Sequence, residues 1–274
     1  MTIDKRVDSA AEAVADIVSG SSIAVGGFGL CGNPIALIEA LLESGVDDLS
    51  VVSNNCGVDD WGLGILLAAQ RISTMTASYV GENKEFERQF LSGELEVHLT
   101  PQGTLAEKLR AGGSGIAAFY TQTGVGTQMA EGGLPWRYGP DGSVAVASKA
   151  KDVRTFDVQG TPREFVLEEA ISTDFSLVHA LVGDWQGNLI FDKSARNFSP
   201  LAAMAGRVCV AQVEHLVEPG AIDPDAVHLP GAYVHRVVEV GPDIEKRIER
   251  RTVRAGVSAA EGDRTGAVLT GREA

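Results

Sequence analysis

Four times within the first 111 residues a short apolar run gives way to a turn, and then to a segment whose apolar side chains recur three and four residues apart. An unbroken apolar run marks a strand buried on both faces, and the 3.6-residue period marks a helix with one buried side. The runs are Ser22–Phe28, Leu49–Ser53, Ile72–Val80 and Leu95–Thr100. The helical segments open at Asn33-Pro34 or cover 62–70, 83–91 and 104–111, and a further helix is expected earlier, over 8–19. Asn33 reads as an N-cap and Pro34 as the first helical position. Strands separated by helices pair in parallel, so the fold class predicted is α/β, an open and mainly parallel sheet with helices on both faces.

Beyond Gly112 the pattern changes. Glycines thicken, and Tyr120 to Gly142 reads as a long excursion without periodicity, the kind of loop that is commonly functional. Strands are expected at 143–147, 165–168, 175–181, 188–191, 208–213 and 233–239, with less helix between them, which predicts a more antiparallel second half. Residues 1–254 are expected to form a single domain. The tail 255–274 has too few large apolar residues to pack and is expected to be disordered.

The formal net charge of -14 sets long-range repulsion against nucleic acid and anionic membrane, so neither is expected as a partner. No stretch approaches the roughly 18 apolar residues of a membrane span, and the N-terminus leads into an amphipathic pattern rather than a signal-peptide core. A cytoplasmic protein is expected. Cys31, Cys56 and Cys209 are odd in number and unpaired in spacing, which argues against a disulfide framework or a thiolate zinc site. The five histidines are scattered, and no metal is expected.

Gly27-Phe28-Gly29-Leu30-Cys31-Gly32 satisfies G-x-G-x-x-G between a strand and a helix, the context of a dinucleotide site. Such a site also needs an acidic residue at the end of the second strand. Here Leu49–Ser53 ends in Asn54-Asn55-Cys56-Gly57, and Asp47 and Asp48 precede the strand. Two readings remain: a loop whose bare N–H groups meet negative charge on a ligand at a helix N-terminus, or a tight turn with no ligand.

Seven segments carry a resemblance to a known family. They are Gly26-Gly-Phe-Gly-Leu-Cys-Gly32, Asn54-Asn-Cys-Gly-Val-Asp-Asp60, Ser78-Tyr-Val-Gly-Glu-Asn-Lys-Glu-Phe-Glu-Arg88, Leu99-Thr-Pro-Gln-Gly-Thr-Leu-Ala-Glu107, Ala118-Phe-Tyr-Thr121, Lys193-Ser-Ala-Arg-Asn-Phe198 and Tyr233-Val-His-Arg236. In this order they resemble the A subunits, or N-terminal halves, of succinyl-CoA:3-oxoacid CoA-transferases, within the family I CoA-transferases.

The resemblance implies a CoA-transferase-like fold and ping-pong transfer through a glutamyl-CoA intermediate, with coenzyme A a substrate and no cofactor. The nucleophilic glutamate is expected on a B subunit, so no catalytic residue is expected in this chain, which would work in an A2B2 heterotetramer on an acyl-CoA and a 3-oxoacid. It also implies that Gly26, Gly27, Phe28, Gly29, Leu30, Cys31 and Gly32 form the substrate and CoA loop, and that Asn54 and Gln102 offer neutral donors to the acid's carboxylate. Without the family, Asn54 and Gln102 are ordinary loop residues, and Cys31 is a small residue filling a turn. Glu82-Asn83 reads as a helix start with Asn83 near the cap, and Glu131 as loop. Lys193 and Arg196 read as a solvated surface pair. Two alternatives stand beside transfer: one component of a hydrolase for the CoA thioesters of ring-cleavage products, and a nucleotide-binding module without catalysis.

Overall fold

The computed structural model describes residues 3–247. Its strands are β1 Ser22–Val25, β2 Leu49–Val52, β3 Ile72–Ala77, β4 Glu96–Leu99, β5 Ala118–Thr121, β6 Pro135–Tyr138, β7 Val144–Ala147, β8 Val153–Val158, β9 Thr161–Glu169, β10 Thr173–Asp184, β11 Leu189–Ile190, β12 Gly206–Val217 and β13 Arg236–Glu239. The helices are α1 Ala10–Ala13, α2 Ile35–Ser44, α3 Gly64–Ala68, α4 Lys84–Ser92, α5 Gln102–Gly113, α6 Gln128–Glu131 and α7 Ser199–Ala205.

The main sheet runs β13-β12-β10-β1-β2-β3-β4, with β11 appended antiparallel to β10 and every other pairing parallel. The predicted strand-helix alternation is therefore realised. Ala13, Leu37, Leu41, Leu66 and Phe86 from α1 to α4 bury one face, while Leu105 and Leu109 of α5 and Ala202 and Ala203 of α7 bury the other. Covering on both sides is why β1 and β2 carry apolar runs rather than alternation. After β1 the chain moves outward through β2, β3 and β4, then returns to the opposite side of β1 with β10. A crevice therefore opens between β1 and β10 at their carboxyl ends, the place where open sheets of this kind take ligands.

Between named strands of the described residues, antiparallel pairing is confined to two smaller sheets, β5-β9-β8 and β6-β7, which occupy residues 118–169, and to the short β10-β11 pair. The strands expected at 175–181, 208–213 and 233–239 instead rejoin the parallel sheet as β10, β12 and β13. The excursion expected over 120–142 contains β6 and α6, short elements with no period to betray them. Buried Glu168 of β9 accepts from Lys108 of α5 at 3.1 Å and from Lys151 ahead of β8, joining the small sheet to the helical layer. Removing both lysines would leave the buried carboxylate uncompensated, at a cost of about 3–5 kcal/mol, while either lysine alone still pairs it.

Local departures have identifiable causes. The helix expected over 8–19 is only α1, opened by a reciprocal cap in which Ser9 accepts from Glu12 N–H and Glu12 accepts from Asp8 N–H. Arg236 takes the Ala13 carbonyl at 2.9 Å and grips Asp16, drawing off the acceptor that a longer helix would use. Asn33 does not cap α2; Pro34 holds that position, and the Leu37 amide is satisfied at 3.2 Å by Gln212 Oε1 of β12. Asn83 caps α4 as expected, accepting from Phe86 N–H at 2.8 Å, and donates to the Cys56 carbonyl at 3.0 Å. The expected tail 255–274 and the domain end at 254 lie outside the described residues. No helix among the described residues is long and apolar enough to cross a membrane.

Two outcomes are expected. Asn83→Ala loses both a cap and a buried donor, and should destabilise the chain by about 1–2 kcal/mol in a denaturant titration. Burial pushes the Cys56 and Cys209 thiols up to about 12, so a disulfide-exchange reagent at about pH 8 should titrate only Cys31 in the native chain and all three thiols after unfolding.

Candidate functional site

Strand β1 ends against Leu177, whose carbonyl accepts the Gly26 N–H at 2.9 Å. The chain then closes a small hairpin: Phe28 and Cys31 exchange backbone hydrogen bonds of 3.1 and 3.0 Å around Gly29 and Leu30. Gly29 has φ 58°, as the first central position of a type II′ turn requires. Three of the seven loop amides, those of Gly26, Phe28 and Cys31, are thus spent on the chain's own carbonyls, which narrows the expected row of bare donors. The amides of Gly27, Gly29, Leu30 and Gly32 find no acceptor among the described residues. An unmade backbone bond at a buried position costs about 1–3 kcal/mol, so such a group is usually reserved for water or a ligand.

The hairpin has a twin. After β2, Val58 and Trp61 exchange backbone bonds of 3.1 and 3.2 Å around Asp59-Asp60, and the flanking Gly57 and Gly62 take left-handed φ as Gly27 and Gly32 do. The repeat G-x-x-x-x-G is not visible as one in the sequence because its four inner residues share no chemistry. The twin's exposed tip is tied to its neighbours: Asp59 accepts the Glu85 N–H at 3.0 Å, and Asp60 pairs at 3.1 Å with Arg247, whose guanidinium also lies 4.4 Å over the Trp61 ring. Between the turns sits the Asn33 side chain. A Cβ at Gly27 would collide with Asn33 Oδ1, and one at Gly62 would lie 2.7 Å from Asn33 Nδ2, so both glycines exist to admit that amide.

The structure brings Asn54 and Gln102 together and divides their work. Asn54, 1 % exposed, receives Gln102 Nε2 at 2.9 Å and Ser78 Oγ at 2.7 Å on its Oδ1, and donates to Asn55 Oδ1 at 3.2 Å. Asn55 in turn donates to the Gly29 carbonyl at 3.2 Å, so one amide chain runs from Gln102 to the glycine loop. Gln102 itself is exposed at the first turn of α5, with a second N–H not engaged by any of the described residues. A donor for an outside carboxylate is therefore found on Gln102, while Asn54 faces the protein.

Sequence reasoning missed the residues that brace the loop from behind. Ala195 packs against Gly32, Asn197 Nδ2 donates to the Cys31 carbonyl at 3.1 Å, and Ser194 Oγ lies 3.3 Å from Cys31 Sγ. Ser199 presses on Gly26 with its hydroxyl buried and without a hydrogen-bond partner among the described residues. For the first three the sole signal was membership of the segment Lys193–Phe198. Lys193 and Arg196 are outside this contact set, and Lys193 is exposed and paired with Asp192 at 3.3 Å. Glu131 and Glu82 are both exposed, neither within the loop's contacts. Phe28 projects from the hairpin with 47 % of its surface exposed. Among the described residues no three His, Cys, Asp or Glu side chains converge as metal ligands would.

Comparison with known proteins gives the family. The A chain of a probable succinyl-CoA:3-ketoacid coenzyme A transferase from Mycobacterium tuberculosis is 65 % identical over 252 residues, which cover 92 % of this chain and all of that one. The corresponding chain of the succinyl-CoA:3-ketoacid coenzyme A transferase from Xanthomonas campestris is 55 % identical over 253 residues, 92 % of this chain and 95 % of its own. Among solved structures, the acyl-CoA transferase YdiF of Escherichia coli O157:H7 superposes with a TM-score of 0.74 at 23 % identity, over 92 % of this chain. This chain spans half the length of that one. Glutaconate coenzyme A-transferase of Acidaminococcus fermentans gives 0.71 at 20 % identity, over 86 % of this chain and 76 % of its own, a likeness of fold. A family model for coenzyme A transferase matches residues 7–240, and with the glycine hairpin at the switch point the chain belongs to the coenzyme A transferase family.

Proposed function

We propose that this chain is the A subunit of a 3-oxoacid CoA-transferase, moving CoA from succinyl-CoA to a 3-oxoacid such as acetoacetate in company with a B subunit. The observation that carries the reading is the set of four loop amides, Gly27, Gly29, Leu30 and Gly32, left without acceptors at the carboxyl end of β1. The names of the similar chains support the substrate pair.

The chemistry needs a carboxylate nucleophile, and in this reading it comes from a glutamate of the B subunit. That carboxylate attacks the thioester carbonyl, the C–S bond breaks, and an acyl-glutamyl anhydride and CoA thiolate result. The thiolate attacks the glutamyl carbonyl and releases the acyl carboxylate, leaving a glutamyl-CoA thioester. The incoming 3-oxoacid runs the steps in reverse, so no ATP is consumed, and one difficult exchange is divided into easier ones. Each addition places negative charge on a carbonyl oxygen. Backbone donors already fixed near that oxygen stabilise it without reorganising, and a donor of this kind is worth about 100-fold to 1,000-fold in rate.

Gln102 fits the carboxylate of the acid substrate. It is neutral, so it orients the oxygen without clamping it as a guanidinium would, and the carboxylate stays nucleophilic. Asn54 then acts by holding Gln102, and Asn55 by linking both to Gly29. Coenzyme A enters as substrate, and no metal or organic cofactor is part of the proposal. An A2B2 assembly in the cytoplasm completes it.

The lone chain should be inactive in acetoacetyl-CoA formation from succinyl-CoA and acetoacetate, and gain activity when co-purified with the product of an adjacent reading frame coding for the B subunit. Full activity of the chain alone would refute the division of labour. In the active complex, Gln102→Ala should raise KM for acetoacetate by about 10-fold to 100-fold, the worth of one hydrogen bond to a charged group, with KM for succinyl-CoA changed by less than about 3-fold. Equal losses for both substrates would remove Gln102 from this role.

A further inference from the structure

The proposed chemistry leaves two buried ionisable side chains in the crevice unused: His179 of β10 and Glu214 of β12, 4 % and 5 % exposed. They lie on adjacent parallel strands, on the face shared with Gln212, beneath the start of α2. His179 Nδ1 is 3.3 Å from the carbonyl oxygen of Asn33. A carbonyl only accepts, so this ring nitrogen carries the proton and donates it. The other nitrogen stands 3.2 Å from Glu214 Oε1. Glu214 Oε2 accepts from Lys246 at 2.6 Å. Burial raises the Glu214 carboxyl, but His179 and Lys246 together outweigh burial and leave it below the ordinary carboxylate range.

Asn33 is where this chain of contacts reaches the loop. Its carbonyl is held by His179 and accepts the Ile35 N–H, and its side chain fills the space left by Gly27 and Gly62. Gly32, Cys31 and Leu30 border the same cavity of about 170 Å³ as His179, Glu214 and Lys246. A side chain spent on one backbone carbonyl, with a buried carboxylate and a cation behind it, is a costly arrangement for a surface turn. Its effect is to fix one point of the hairpin.

We propose that His179, backed by Glu214 and Lys246, is a positioning residue for the glycine loop: it sets the Asn33 carbonyl, and through Asn33 the spacing of the two hairpins, so that the free amides meet the reacting carbonyl. His179 exchanges no proton with substrate in this role. The inference rests on the transfer reading for its kinetic consequence alone.

The test compares the wild-type complex of A and B subunits with His179→Ala and His179→Gln. Glutamine can present an N–H toward the Asn33 carbonyl and alanine cannot. Two quantities are read: steady-state kinetics with succinyl-CoA and acetoacetate, and amide hydrogen exchange over residues 26–33 against strand β12. His179→Ala should lower kcat by about 10-fold to 100-fold, the scale of a small misplacement of reacting groups, with both KM values within about 3-fold. It should speed exchange over 26–33 while β12 stays protected, and His179→Gln should recover most of kcat and of the protection. Unchanged kcat and exchange in His179→Ala, or faster exchange spread evenly over the chain with glutamine no better than alanine, would overturn the proposal. A wild-type complex without transferase activity would sink the transfer reading instead, and the exchange comparison, which needs no turnover, would still decide the role of His179.

Discussion

Strand β1 is flanked by parallel neighbours on both sides and buried on both faces, so the chain has no choice of exit at its carboxyl end. Gly26 makes the last ladder bond, to Leu177, and from there the backbone must turn inside a crevice whose walls are β2 and β10. A side chain at Gly26 would strike Ser199, and one at Gly27 would strike Asn33. Glycine is what lets the turn form so close to the sheet. A backbone pressed that tightly cannot pair all of its amides, and the unpaired ones are what the proposed function draws on.

What can be foreseen from the sequence follows from the range of the interactions. The α4 cap by Asn83 is local, three residues to its bonded amide, and its pattern is plain in the sequence. The α2 start departs from expectation because its acceptor, Gln212, lies 175 residues away from Leu37. Arg236 shortens α1 from a similar distance. Strand β8 escapes notice because both of its faces are largely exposed and carry mixed chemistry, so neither a buried run nor a clean alternation marks it. The parallel sheet is legible because it is the part of the molecule buried on both sides.

The site divides in the same way. The glycine spacing is accessible from the strand-turn-helix context, and family resemblance singles out Asn54 and Gln102, but as two carboxylate donors; their hydrogen bond to each other is not foreseen. Asn55, Ser78, Asn197 and His179 are not accessible, since each acts through a contact more than 20 residues distant in the chain. Neutral amides at positions 54, 55 and 102 form a relay without net charge, which suits the proposed function, in which carboxylates arrive, react and leave. A fixed cation there would favour the bound acid over its transition state.

The shared amide of Asn33 gives the two hairpins a common mechanical fate. With Oδ1 seated at Gly27 and Nδ2 at Gly62, neither turn can shift without displacing the other. The twin is moored by Asp59 to the start of α4 and by Asp60 to Arg247. Strain applied at the first turn is therefore shared with its tethered neighbour rather than absorbed by the turn alone, and the stiffness that glycine removes from the backbone is returned by the neighbour it leans on.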